Sequence, residues 1–221
     1  ARYYDPFTAR WTTRDPMAGK YTSLSPYNYC AGNPVMYYDP NGKDRHISTK
    51  NSTKVISATF YVDYGKYNGV STFDSFKKAI NVLNETTGLS YDDNGKTYSV
   101  VFKLDVQRSY NPQKASNNKV GANHVVIENT LGYRKDSNGN DILGEANGGK
   151  KVTIHAKSLN NTGVVTHEIL HSLGAATKRG PNGEDPHHKT GYMTSSTQQQ
   201  TNEVTKQTID EIIENGHENT F

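Results

Sequence analysis

The sequence predicts a mixed α+β domain entered through an irregular N-terminal stretch. Three observations lead there. Apolar residues after about position 46 recur with period two in some segments and at helical spacing in others. One helical segment carries His167-Glu168-Ile169-Leu170-His171. The first forty-odd residues show turn chemistry and almost no period. A length of 221 residues accommodates one domain of good size with a flanking piece. The expected division is 1–45 and 46–221.

The elements follow in order. Ala1-Arg2-Tyr3-Tyr4-Asp5-Pro6 and Arg10-Trp11 open the chain. Asp15-Pro16-Met17, Ser25-Pro26-Tyr27-Asn28-Tyr29-Cys30, Asn33-Pro34-Val35 and Asp39-Pro40-Asn41-Gly42 continue it. Such a string of Tyr, Pro, Asn and Asp turns cannot bury a core of its own, so it is expected to pack against something larger. Residues 53–62 are rich in β-branched and aromatic side chains and read as a strand. Residues 72–86 place Phe73, Phe76, Ile80 and Leu83 at helical spacing. Strand-like runs return at 97–106, 123–128 and 151–156, with Gly- and Asn-rich loops expected at 107–122 and 131–150. A helix is expected at about 162–173 and a last one at about 202–214, carrying Val204, Ile209, Ile212 and Ile213.

The helix at 162–173 carries the chemistry. His167 and His171 stand at i and i+4, one turn apart on one face, so their imidazoles can converge on a tetrahedral zinc. Glu168, beside the first histidine, can serve as general base toward a water that zinc activates. Val164, Val165, Ile169, Leu170 and Leu173 supply an apolar face for a half-buried helix. Asn161 or Thr162 is the candidate N-cap, and Gly174 can end the helix in the left-handed conformation. The chain can then turn back with a third ligand. His188 is the first candidate, then its neighbour His187, then Asp185; adjacent side chains in extended chain point opposite ways, so one of the pair binds. Glu203, expected in the last helix, is a rival of different geometry.

His167-Glu168-x-x-His171-x-x-Gly174, with Met193 following in Gly191-Tyr192-Met193-Thr194-Ser195, resembles the metzincin group of zinc metallopeptidases. The resemblance implies two helix histidines and one downstream histidine on zinc, with a methionine turn beneath the site. It also implies the order strand, helix, three strands, site helix, turn and helix, and an edge strand at 151–156 to hold an extended substrate. The sequence departs from the pattern at Thr177, where a compact metzincin carries its third histidine; an insertion would carry the ligand to His187 or His188. A Glu203 ligand would instead resemble a thermolysin-like gluzincin.

Residues 1–44 resemble the C-terminal end of an Rhs-repeat core, in which tyrosine-rich repeats build a large β shell and a variable toxin follows. The chain begins inside that pattern without an initiator methionine and is read as the tail of a longer polypeptide. The resemblance implies delivery by a secretion machine into a target cell, a cognate immunity protein in the producer, and the rest of the shell as a partner. Asp15 and Asp39 match the paired Asp-Pro motifs at which some Rhs proteins self-cleave, although Ala18 replaces the glycine of the strict motif.

Composition narrows the classes further. A net charge of +3 is too small to imply nucleic-acid binding. No signal peptide and no apolar run of membrane-spanning length is visible. Cys30 is the only cysteine, so no intrachain disulfide is possible. His46 and His217 read as solvated, and His124 and His155 as satisfied structural histidines. Tyr192 is a candidate for holding a transition-state oxyanion or for packing. The expected function is zinc-dependent hydrolysis of peptide bonds at His167, His171 and His188 with Glu168 as base. Two alternatives stay open: a zinc hydrolase of a cell-wall amide, and a binding module with a structural zinc closed by four protein ligands.

Overall fold

The computed structural model describes residues 4–5, 10–11, 46–117, 119, 121–135, 139, 141–146, 150–176, 191–193 and 201–215. The chain divides into two compact units, Ala1–Asn41 and Gly42–Phe221. In the first, β1 (Tyr4–Asp5) pairs antiparallel with β2 (Arg10–Trp11). The second unit contains β3 (His46–Lys50), β4 (Thr53–Val62), β5 (Lys66–Tyr67), β6 (Val70–Ser71), α1 (Thr72–Asn84), β7 (Ser90–Asp93) and β8 (Lys96–Arg108). It continues with α2 (Pro112–Ser116), β9 (Ala122–Glu128), β10 (Arg134–Lys135), β11 (Asp141–Ile142), β12 (Gly144–Glu145), β13 (Lys151–His155), α3 (Thr162–Ser172) and α4 (Lys206–Glu214).

A seven-stranded mixed sheet organises this unit, in the order β12-β13-β9-β4-β8-β7, with β3 also paired to β4. β4, β8, β9 and β13 run parallel; β3, β7 and β12 run against their neighbours. Parallel neighbours need a crossover. Between β4 and β8 it is α1, capped by Ser71, whose side chain accepts from the Asp74 N–H. At its other end Asn84 joins α1 to β8 with two bonds, from its amide to the Leu104 carbonyl (2.9 Å) and from the Leu104 N–H to its Oδ1 (2.8 Å). Three hairpins use two-residue turns with both residues left-handed: Asn51–Ser52, Asn68–Gly69 and Asn94–Gly95. That geometry matches the right-handed twist of the flanking strands.

One face of the sheet is buried and the other is not. Along β8, Val100, Phe102, Leu104 and Val106 are buried while Val101 and Lys103 between them are exposed. β4 sends Ile56, Ala58 and Phe60 to the same core. α1 and α3 cover that face, with Phe76 of α1 6.0 Å from Phe60 between ring centres. Met193 joins Ile169, Leu170 and Leu173 in this core with no exposure at all. Burying one such side chain stabilises the fold by about 1.5–3 kcal/mol.

Three expectations are corrected. The stretches 107–122 and 131–150 are not plain loops: they carry α2, β10, β11 and β12. The last helix begins at Lys206, because Thr205 caps it by accepting from the Thr208 N–H (3.2 Å). Val204 and Glu203 therefore precede it. Residues 151–156 are not the sheet edge. β13 is paired on both sides, parallel to β9 and antiparallel to β12, and β12 is the outermost strand of the described sheet.

Candidate metal centre

The site is built on α3. Asn161 caps it, accepting from the Val164 N–H at 3.3 Å. Gly174, at φ 105°, ends it. The Ala175 N–H reaches back to the Leu170 carbonyl (3.0 Å) and the Gly174 N–H to the His171 carbonyl (2.9 Å). That pair of bonds is a Schellman turn, and only glycine takes its left-handed position without a steric penalty. α3 is more deeply buried than its apolar face suggests: Thr166, Glu168 and Ser172 are buried along with Val164, Val165, Ile169 and Leu170. It packs against β12 and β13 on one side and α1 on another, so both flanks need covering.

Both predicted histidines sit on one face, with ring centres 4.5 Å apart and planes nearly perpendicular. Each ring is oriented by a backbone carbonyl. His167 Nδ1 meets the Tyr192 carbonyl at 2.6 Å, and His171 Nδ1 meets the Ala175 carbonyl at 2.9 Å. A carbonyl oxygen only accepts, so Nδ1–H is the donor in both rings. The neutral tautomer then carries its lone pair on Nε2, the form that ligates a metal. The Schellman turn places the Ala175 carbonyl. α4 steadies that turn, with Glu211 accepting from the Ala176 N–H (2.6 Å) and Asn215 donating to the Gly174 carbonyl (3.0 Å). The sequence carried no local signal for these supports, which come from residues 35 and 41 positions apart.

Glu168 is 5% exposed, and its Oε2 is buried with no hydrogen-bond partner among the described residues. Burial pushes the carboxyl up to about 8, and the negative charge of Glu145 adds to the shift. A neighbouring divalent cation acts in the opposite sense, favouring the carboxylate. A polar group buried without a protein partner is costly to fold, and such groups concentrate where a ligand or a reaction uses them. Glu145 itself is half exposed and pairs with Arg134 at 3.2 Å, whose Nε also holds Glu128 at 2.7 Å.

The methionine turn is described at Gly191–Met193. Gly191 is left-handed (φ 79°), and a Cβ there would stand 2.6 Å from Thr205 and 2.9 Å from the Glu203 carbonyl, so both backbone and space require glycine. Tyr192 is buried, and its N–H donates to the Glu203 carbonyl (3.0 Å). Its carbonyl orients His167, a role outside the oxyanion and packing roles expected for it. Burial raises the pKa of its phenol.

The third-ligand candidates His188, His187 and Asp185 lie outside the described residues, as do Thr177, Asp15, Asp39, Cys30 and His217. Glu203 is described. It is exposed, takes a hydrogen bond from Thr201 (3.0 Å), and does not join the histidines: no group of three or more potential metal ligands forms among the described residues. His155 and His124 have partners. His155 is buried and lies 3.0 Å from the Gly132 carbonyl through Nε2, and its Nδ1 accepts from the Lys157 N–H. His124 meets Ser116 at 3.2 Å. Burial first, and then Lys151 and Lys150, lower its pKa. A cavity of about 740 Å³ flanks the N-terminal turn of α3, lined by Lys78, Val82, Asn160, Gly163 and Tyr192 among others. His167, His171 and Glu168 are not among the residues that line it.

Compared with protein-family models, curated proteins and solved structures, the chain matches none of them.

Proposed function

We propose that residues 46–221 form a metzincin-like zinc metallopeptidase, the toxin end of an Rhs-type protein. One observation carries the catalytic part. His167 and His171 share a helix face, each ring is turned by a carbonyl on Nδ1, and Glu168 is buried beside them with an oxygen that no described residue satisfies. These residues fit zinc: two Nε2 donors and a carboxylate whose ionisation a cation favours. His167 and His171 would hold it, with His188 as the proposed third ligand. When bound, zinc supplies Lewis-acid polarisation and lowers the pKa of water to about 7. Glu168 takes one proton from the attacking water as its oxygen bonds to the peptide carbon, then delivers that proton to the amine as the C–N bond breaks.

The order of strand, helix, strands, site helix, methionine turn and helix supports the metzincin-like reading. The Gly174 turn and the buried Met193 support it too. The antagonistic role rests on the motifs in residues 1–44. The partners it implies are a protein or peptide substrate, an immunity protein and the remaining shell; nucleic acid and a membrane span are not expected, and no described helix is long and apolar enough to cross a membrane.

The decisive experiment removes the metal. Purified chain stripped by chelation and given one equivalent of zinc is expected to generate new amino termini in an unfolded protein substrate. The stripped chain is expected to generate none. Zinc uptake without peptide cleavage, or equal cleavage with and without zinc, would overturn the peptidase reading.

The corrected edge moves the substrate-docking expectation from β13 to β12. The His155 N–H bonds to the Leu143 carbonyl, so the alternating antiparallel pattern turns the Gly144 N–H and C=O outward. An extended peptide would pair there. N-methylation of the single peptide amide facing the Gly144 carbonyl is expected to weaken binding by roughly 5- to 150-fold, the cost of leaving one buried acceptor unpaired. A full series of N-methylated peptides with unchanged inhibition constants would remove β12 as the docking edge.

A further inference from the structure

We infer that Gly144 is the positioning residue for Glu168, holding the general base in place by having no side chain. The inference rests on the peptidase reading of Glu168. Gly144 lies in β12 opposite Ile154, and Glu168 lies in the second turn of α3. A Cβ built on Gly144 would stand 2.6 Å from Glu168 Cγ and 2.9 Å from both Cδ and Oε1. Real Cβ contacts do not fall below about 3.0 Å. The three nearest atoms all belong to Glu168, so the space an alanine would need is the space the carboxylate occupies.

Backbone freedom does not explain the glycine. Gly144 is absent from the chain's left-handed glycines, unlike Gly174 and Gly191, and it pairs in regular register with β13. Its requirement is spatial. Hydrogen bonding does not fix the carboxylate on both oxygens either, because Oε2 has no partner among the described residues. The backbone of β12 therefore serves as a wall for the Glu168 side chain. The same residue turns its N–H and C=O away from β13, toward the outer side of the described sheet, so one glycine faces the base on one side and the proposed substrate strand on the other. A side chain at 144 would displace the base while leaving His167 and His171, which are oriented from Tyr192 and Ala175, where they are.

The test is a double-substitution cycle with three readouts. Gly144→Ala is expected to keep one zinc per chain, lower kcat for peptide hydrolysis by about 100-fold or more, and change KM little. Losing a general base typically costs about 10²–10⁴-fold. Gly144→Ala is also expected to lower the melting temperature of the zinc-free chain. In a Glu168→Ala background the same substitution is expected to leave that temperature unchanged, because the atoms it would meet are gone. Gly132→Ala is the control, since a Cβ there meets nothing within 4 Å. Wild-type kcat in Gly144→Ala, or an equal loss of melting temperature in both backgrounds, would overturn the inference. If Gly144→Ala alone does not fold, recovery of folding in Gly144→Ala/Glu168→Ala supports it, and failure of the double variant overturns it. A wild-type chain that binds zinc without cleaving peptides defeats the peptidase reading, and the melting cycle still decides whether Gly144 places Glu168.

Discussion

Glu168→Gln is expected to keep the fold and the zinc and to lose about 10²–10⁴-fold in kcat. The fold should survive because the substitution is nearly isosteric and the site already disfavours charge: burial holds the metal-free carboxyl up at about 8. A neutral amide incurs less desolvation there than a carboxylate. Zinc should survive because the ligand rings are oriented by the carbonyls of Tyr192 and Ala175 and not by Glu168. What disappears is an atom able to accept a proton from water and return it to the amine. Zinc content, melting temperature and turnover on one peptide substrate check all three statements together. Wild-type turnover in the variant would remove Glu168 as the base; loss of zinc would mean that it helps to hold the metal.

The long periodic elements were legible in the sequence because their patterns are local. The strand at 53–62 and the helices beginning near 72 and 162 fall where apolar spacing puts them. Asn161 and Gly174 end α3 as cap chemistry requires. The hairpin of β7 and β8 has its signal in the two-residue turn Asn94–Gly95, outside the periodic apolar segments. β12 was not legible: two residues have no period, and its place at the edge is set by pairing with β13. The same reason hid the edge assignment, since an alternating strand looks alike in the interior and at the rim. At the site, the sequence pattern identified His167, His171 and Glu168 as candidates. It could not show what orients them. The carbonyls of Tyr192 and Ala175 belong to the backbone, whose identity no side chain encodes, and Glu211, Asn215 and Gly144 reach the site only through the tertiary fold.

One zinc per chain is the second large expectation, and ligand substitutions should grade it. His167→Ala and His171→Ala are each expected to leave less than about half an equivalent after reconstitution, because a site of this kind needs three protein ligands. The expected loss of affinity exceeds about 100-fold, since disturbing only the groups that orient a ligand already costs about 10- to 100-fold. His188→Ala is expected to match them, with His187→Ala intermediate. Glu203→Ala is expected to stay near wild type: its carboxylate is exposed and engaged by Thr201, and it joins no ligand group with the two histidines. Elemental analysis and competition with a zinc chelator of known affinity would rank the four histidine positions and Glu203 against wild type. A damaging Glu203→Ala beside a neutral His188→Ala would make the centre gluzincin-like and reject His188. Full zinc retention in His167→Ala would reject the centre itself, because the ring turned by the Tyr192 carbonyl would then have no metal to serve.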